Sequence, residues 1–197
     1  MSLDDQLRRT VRLVALLNLA YFSVEFVVAL RIGSVSLFAD SVDFLEDAAV
    51  NFLIFAALGW SATKRAKVGM GLAAILLIPA LAFVWMLWRK FEEPAPPEAL
   101  QLMATGVGAL AVNLFCAFAL ARFRTHSGSL TKAAFLSARN DALANVAIIT
   151  AGIATAFTHS VWPDVTVGLG IAAMNADAAR AVWTAAREEH RLASAES

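Results

Sequence analysis

The chain predicts an all-α polytopic membrane protein, a bundle of six transmembrane helices with both termini cytoplasmic, and three observations carry that reading. Hydrophobic residues make up 59% of the 197 positions and charged residues 16%, with a mean hydropathy of +0.66, well above the range of soluble domains. The apolar residues gather in six runs, each long enough to supply the roughly 20 helical residues that cross a hydrocarbon core. Lysine and arginine fall almost wholly on one side of the layer once those runs alternate in direction.

Taken in order, each run has its own punctuation. The first, 11–30, follows a short polar segment with no small-residue cleavage site, so it reads as a retained helix rather than a removable leader. Arg31-Ile-Gly-Ser34 separates it from the second run, 37–60, and Lys64-Arg65-Ala-Lys67 separates that from the third, 69–88. Pro94-Ala-Pro96-Pro97 then forbids helix before the fourth run, 102–121. Ser127-Gly-Ser129 offers an N-cap for the fifth, 130–157, and Pro163 suits the first turn of the sixth, 161–185. The organisation is a cytoplasmic N-terminal segment at 1–10, a membrane domain at 11–185 and a short cytoplasmic tail at 186–197. Within that tail, Arg187-Glu-Glu-His-Arg191 reads as an amphipathic stub at the membrane surface. Arg8, Arg9, Arg12, Lys64, Arg65, Lys67, Arg122, Arg124, Lys132, Arg187 and Arg191 then share the cytoplasmic side, against Arg31, Arg89 and Lys90 on the other.

The formal net charge is zero, which gives no footing for nucleic acid. The single cysteine, Cys116, excludes an internal disulfide and a cysteine-based zinc cluster and reads as packing among Leu114, Phe115 and Phe118.

The residues that do not suit a membrane helix are acids. A carboxylate in hydrocarbon costs roughly 2.5 to more than 10 kcal/mol unless it is paired, protonated or bound to a cation. The second run carries Asp40, Asp43 and Asp47 on one stripe within an arc of about 60°, with Glu46 off it beyond Asp43. Two carboxylates at i and i+4 can hold a divalent ion between them, and unpaired they repel. The alternative is a water-filled vestibule or an arginine partner, for which Arg139 is the arginine at suitable depth. The fifth run places Ser137 and Asp141 one turn apart, with Asn145 a turn further along. Counted from Ser129, Asp141 lies about 18 Å in at 1.5 Å per residue, near the depth expected of Asp47 in a helix running the opposite way. Asp43, Asp47 and Asp141 are therefore expected to converge at mid-bilayer. Asp47-Ala-Ala-Val-Asn51 and Asp141-Ala-Leu-Ala-Asn145, each preceded 28 or 29 positions earlier by Asn-Leu (Asn18, Asn113), suggest an inverted repeat with its site between the copies.

The remaining polar residues invite plainer readings. Asn18, Glu25, Asn113, Asn175 and Asp177 are expected to make interhelical hydrogen bonds, Asp164 to lie at the outer interface beside Trp162, and His126, His159 and His190 to be ordinary surface histidines.

At these residues the chain resembles the cation diffusion facilitator family, here its transmembrane domain without the usual C-terminal cytoplasmic domain. Glu25 followed by Gly33-Ser-Val-Ser-Leu-Phe-Ala-Asp40-Ser-Val-Asp43-Phe-Leu-Glu-Asp47 is similar to that family's first-to-second-helix signature. Asn113-Leu-Phe-Cys-Ala-Phe-Ala-Leu, Ser127-Gly-Ser-Leu-Thr-Lys-Ala-Ala-Phe-Leu and Trp162-Pro-Asp164-Val-Thr-Val-Gly-Leu-Gly resemble its fourth helix, the lead-in to its fifth and the opening of its sixth. The resemblance implies a six-helix exporter of zinc or a related divalent metal (cobalt, cadmium, iron or manganese) by proton antiport through alternating access, with Asp43, Asp47 and Asp141 as metal ligands. The family's fourth ligand, His or Asp, falls on Ser137. The implied first shell is then all oxygen, completed by water, Asp40, Asn140 or Asn145, and it suits harder ions such as Mn²⁺ or Mg²⁺ better than an imidazole site would. Asp40, Glu46, Asn140, Asn145 and Asn51 are candidates for an outer shell or a proton relay. The transported divalent metal is substrate, no organic cofactor is expected, and the partners are the cation, protons and membrane lipid. The resemblance also implies a homodimer, here formed through membrane helices, in a bacterial inner membrane. An enzyme is not expected: an intramembrane aspartyl protease needs two acids sharing a proton, and neither acidic segment carries Gly-x-Gly-Asp. The remaining alternative is a non-transporting or regulatory membrane protein derived from the same family.

Overall fold

A computed structural model of the chain describes residues 3–57, 81–121, 123 and 128–175. All regular structure among them is helical: α1 (Leu3–Ile32), α2 (Val35–Ala57), α3 (81–92), α4 (Ala99–Ala121), α5 (Gly128–Thr158) and α6 (162–175). The all-α membrane bundle read from the sequence is what the chain forms. Asp5–Ile32, Ala99–Ala121 and Leu136–Thr158 are long and apolar enough to cross a membrane, and α2 has the same length as α4 but is interrupted by its acids. The far part of the second span, the start of the third, the end of the sixth and the tail at 186–197 lie outside the described residues, as do Asp177, His126 and His190.

The helix α1 lies along α2 and α4 lies along α5, and the two pairs join through α1–α4 and α2–α5, so the four close into a ring in which α2 and α4 barely meet. The α3 segment packs on α2 through Phe83 against Phe38, and Phe91 of α3 lies against Trp162 of α6. Two apolar clusters fill the bundle. One joins Val11, Val14, Ile54, Cys116 and Leu120; the other joins Leu37, Phe38, Met86, Leu102, Ile148 and Ile171. Between these clusters in chain position runs a buried polar layer of Asn18, Glu25, Asp40, Asp43, Asp47, Asn113 and Asn145.

The α1–α2 connection is a two-residue turn that caps both helices at once. Gly33 adopts φ +65°, a left-handed conformation open to glycine, and Ser34 N–H donates to the Ala29 carbonyl at 3.0 Å, a helix-ending arrangement of Schellman type. Ser34 is also the N-cap of α2, its Oγ accepting Leu37 N–H at 3.2 Å. Asp164 has a role here that the sequence expectation did not include. It lies two residues from Trp162, as expected, but its carboxylate is fully buried against the start of α2. It accepts from Ser34 Oγ (2.6 Å), Val35 N (2.7 Å), Ser36 N (3.1 Å) and Ser36 Oγ (2.6 Å). The physical reason is that the first N–H groups of a helix have no partner within it and carry partial positive charge, and a buried carboxylate satisfies both needs. Lys90 of α3 is buried beside this turn and donates to the carbonyls of Gly33 and Ala95. Burial lowers its ammonium from the ordinary lysine range, and the charge of Asp164 works the other way.

Helices in lipid gain little from burying apolar surface against one another, so close approach and interhelical hydrogen bonds must hold them. Gly168 lets α6 approach α2 closely: a Cβ there would fall 2.8 Å from the Val35 carbonyl carbon and 2.9 Å from Ser36 N. Gly168→Leu is expected to push α6 off α2 at a cost of about 2 kcal/mol, read as a lowered unfolding midpoint of the purified protein. Gly170 faces open space, so Gly170→Leu should leave that midpoint where it is.

Candidate metal site between α2 and α5

The i, i+4 and i, i+7 spacings of α2 turn Asp40, Asp43 and Asp47 inward, and all three are buried. From α5, the matching spacing brings Ser137, Asp141 and Asn145 to the same level. The two sets meet at one hydroxyl: Ser137 Oγ lies 2.9 Å from Asp47 Oδ1 and 3.5 Å from Asp141 Oδ2. A serine hydroxyl has a single proton to give, so it donates to Asp47 at good length, with Asp141 at the limit of contact. Oxygens from two helices that run in opposite directions thus gather within reach of one another, as the depth count predicts.

The third acid departs from the expectation. Asp43 accepts a hydrogen bond from Asn175 Nδ2 of α6. Among the described residues no three His, Cys, Asp or Glu side chains stand close enough together to hold one ion. The predicted convergence is therefore partial, with Asp47 and Asp141 meeting at Ser137 and Asp43 held on the α6 side. The reason is electrostatic: neighbouring carboxylates repel one another, and each turns toward a neutral donor from a different helix.

Asp40 is held the same way. Asn145 Nδ2 donates to Asp40 Oδ2 at 2.6 Å, and Asn113 Nδ2 of α4 donates to Asn145 Oδ1 at 3.0 Å, so amides link α4 through α5 to α2. Asn51 donates Nδ2 to the Asp47 backbone carbonyl at 2.9 Å and leaves a buried Oδ1 without a donor. Glu46 is half-buried on α2, one residue before Asp47. Asn140 does not join the cluster. It is exposed and accepts from Arg139 at 3.4 Å, because it sits one residue, about 100°, round the helix from Asp141. Arg139 is thereby committed to Asn140 as well and is itself exposed, so the reading in which an arginine neutralises the acids finds no support in its hydrogen bonding.

Interhelical roles expected of Asn113 and Asn175 hold, and Asn18 accepts a weak bond from Cys116 at 3.7 Å. The sequence reading missed that Asn175 serves Asp43, and Glu25, expected to make an interhelical hydrogen bond, is fully buried with neither carboxyl oxygen hydrogen-bonded. One available signal was the seven-residue spacing of Asn18 and Glu25, which puts both on one face of α1.

A family model described as the cation efflux transmembrane domain matches residues 11–187. No curated protein matches the chain.

Proposed function

The chain belongs to the cation efflux transmembrane-domain family, and from that premise we propose that it exports a divalent metal cation from the cytoplasm by proton antiport. The observation that carries the reading is the meeting of Asp47 and Asp141 at Ser137, two acids and a hydroxyl from opposed helices in the interior of a membrane bundle. Asp43, Asp47 and Asp141 bind the ion, with Asp43 exchanging its amide partner Asn175 for the metal. The same oxygens accept a proton or a metal ion but not both, and that exclusion couples the two flows. Alternating access then means that the acids face the cytoplasm when they take metal and the other side when they take protons. With Ser137 in place of a nitrogen donor the ligand set is all oxygen, which favours Mn²⁺ over Zn²⁺ relative to a histidine-bearing site. The asymmetry of lysine and arginine supports cytoplasmic termini, and the proposed setting is a bacterial inner membrane, with the chain paired as a homodimer through its helices.

The test is uptake into proteoliposomes loaded with a metal-sensitive dye under an imposed pH gradient. Mn²⁺, Zn²⁺, Co²⁺, Cd²⁺ or Fe²⁺ should enter, and collapsing the gradient with a protonophore should slow it. Failure of all five to enter, together with calorimetry showing no binding, would favour the non-transporting reading that Ser137 motivates. Ser137→His is expected to shift preference toward zinc by about tenfold, roughly 1.4 kcal/mol, measured as the ratio of Zn²⁺ to Mn²⁺ uptake; an unchanged ratio would remove position 137 from the ligand set.

A further inference from the structure

At their C-terminal ends, α1 and α3 line an open cavity of about 460 Å³, within the size range of pockets that hold small molecules. Among the described residues its lining carries three cations, Arg31, Arg89 and Lys90, and one acid, Glu93. Each cation has donors to spare. Lys90 is buried and gives two of its three N–H groups to the carbonyls of Gly33 and Ala95, which fixes its ammonium at the cavity wall. Its third N–H has no acceptor among the described residues. Arg89 stacks over Trp85, its guanidinium carbon 5.6 Å from the ring centroid, and touches Glu93 at 3.3 Å. That ion pair is exposed on both sides, hence weak and readily exchanged for a stronger anion. Arg31 is exposed and has no ion-pair partner among the described residues. The Asp164 carboxylate lies behind the turn, buried and occupied by the four donors of Ser34, Val35 and Ser36, so it does not serve the cavity.

The level of the cavity decides what kind of anion reaches it. The first and third apolar runs end at residues 30 and 88, so Arg31, Arg89 and Lys90 stand where their helices leave the hydrocarbon. Trp85, Trp88, Phe91 and Trp162 are exposed at the same end, with Phe91 against Trp162, as in the aromatic belts found at headgroup depth. Trp85 and Met86 also give the cavity an apolar side. A small inorganic anion gains nothing from that side, whereas a phospholipid sets its phosphate on the cations and its glycerol along the apolar wall. We propose that this cavity binds the headgroup phosphate of an anionic phospholipid. Arg31 and Arg89 grip the phosphate oxygens through their planar forks, and Lys90 donates its third N–H from the wall. A zwitterionic headgroup brings its own cation to a cavity that already holds three, so the anionic class is preferred. Because Arg31 and Arg89 belong to different helices, the bound phosphate ties the end of α1 to the end of α3. This inference rests on the membrane bundle and not on the transport reading.

Native mass spectrometry reads the site on the full chain, released from detergent micelles that hold equal amounts of phosphatidylglycerol and phosphatidylcholine. The unaltered chain should retain one phosphatidylglycerol in preference to phosphatidylcholine by about tenfold or more. Replacing both arginines, Arg31→Gln with Arg89→Gln, should weaken that retention by roughly 30-fold. Both side chains are exposed, so the unfolding midpoint in phosphatidylcholine micelles should not move; if the double variant does not fold, Arg31→Gln alone should weaken retention by roughly fivefold. Arg139→Gln removes an exposed cation elsewhere, bonded to Asn140, and should leave retention unchanged. Equal retention of the two lipids, or an equal loss in Arg139→Gln, overturns the proposal. Inorganic phosphate added at millimolar concentration should not displace the lipid; displacement would make the cavity a site for the free anion and overturn the lipid assignment.

Discussion

Asp47→Ala is expected to reduce metal uptake into proteoliposomes by more than about 100-fold, since even the loss of a group that only supports a ligand commonly costs 10- to 100-fold. Asp47 shares the Ser137 hydroxyl with Asp141, and its Oδ1 takes the Ser137 proton. Without it only Asp43, held by Asn175, and Asp141 remain as carboxylates of the proposed ligand set. Folding should survive, because removing one of several buried like charges relieves repulsion, and Ser137 keeps Asp141 as an acceptor at 3.5 Å. Size-exclusion behaviour and unfolding midpoint should therefore stay close to those of the unaltered protein while transport fails. Uptake equal to that of the unaltered chain would remove Asp47 from the metal path.

The largest stability effect should come from the other end of α2. Asp164→Ala removes four hydrogen bonds at once and strands the N–H groups of Val35 and Ser36 in a buried helix start. Bonds to a charged group are worth about 1.5–3 kcal/mol and a stranded buried donor costs about 1–3 kcal/mol, so a loss of roughly 3–5 kcal/mol is expected after partial relaxation. Asp164→Asn retains the shape and two lone pairs but brings its own N–H₂ against donors, and it should recover only part of that loss. Chemical unfolding of the purified protein in detergent reads both. A suitable control is Thr166→Ala, an exposed hydroxyl on the same helix bonded only to the Trp162 carbonyl; an Asp164→Ala cost no greater than that of Thr166→Ala would refute the capping account.

Much of this was legible in the sequence, and the reasons are specific. The hydrocarbon core imposes a length on every span, so the helices announced themselves as apolar runs. The 100° step of an α-helix put Asp40, Asp43 and Asp47 on one stripe and Ser137, Asp141 and Asn145 on another, and a count of 1.5 Å per residue set Asp141 level with Asp47. The same step should have set Asn140 aside, since it points away from Asp141's face. What periodicity does not encode is how each helix is rotated against a neighbour far away in the chain. Asp164 meets Ser34 across 130 positions and Asn175 meets Asp43 across 132, and both contacts depend on α6 lying against α2 through Gly168. Glu25 was visible as an acid in an apolar helix, but that it is fully buried with no hydrogen-bond partner is a fact about how the helices pack.

The Asp164 contact has a mechanical consequence. It pins the first turn of α6 to the turn between α1 and α2, while Asn175, eleven residues on, reaches the acid layer about 16 Å away at 1.5 Å per residue. The described part of α6 is thus tied to α2 at two points, Asp164 and Asn175, the first by four hydrogen bonds and the second by one. A tilt of about 10° about Asp164 would carry Asn175 roughly 3 Å, by the same helical rise, enough to release Asp43.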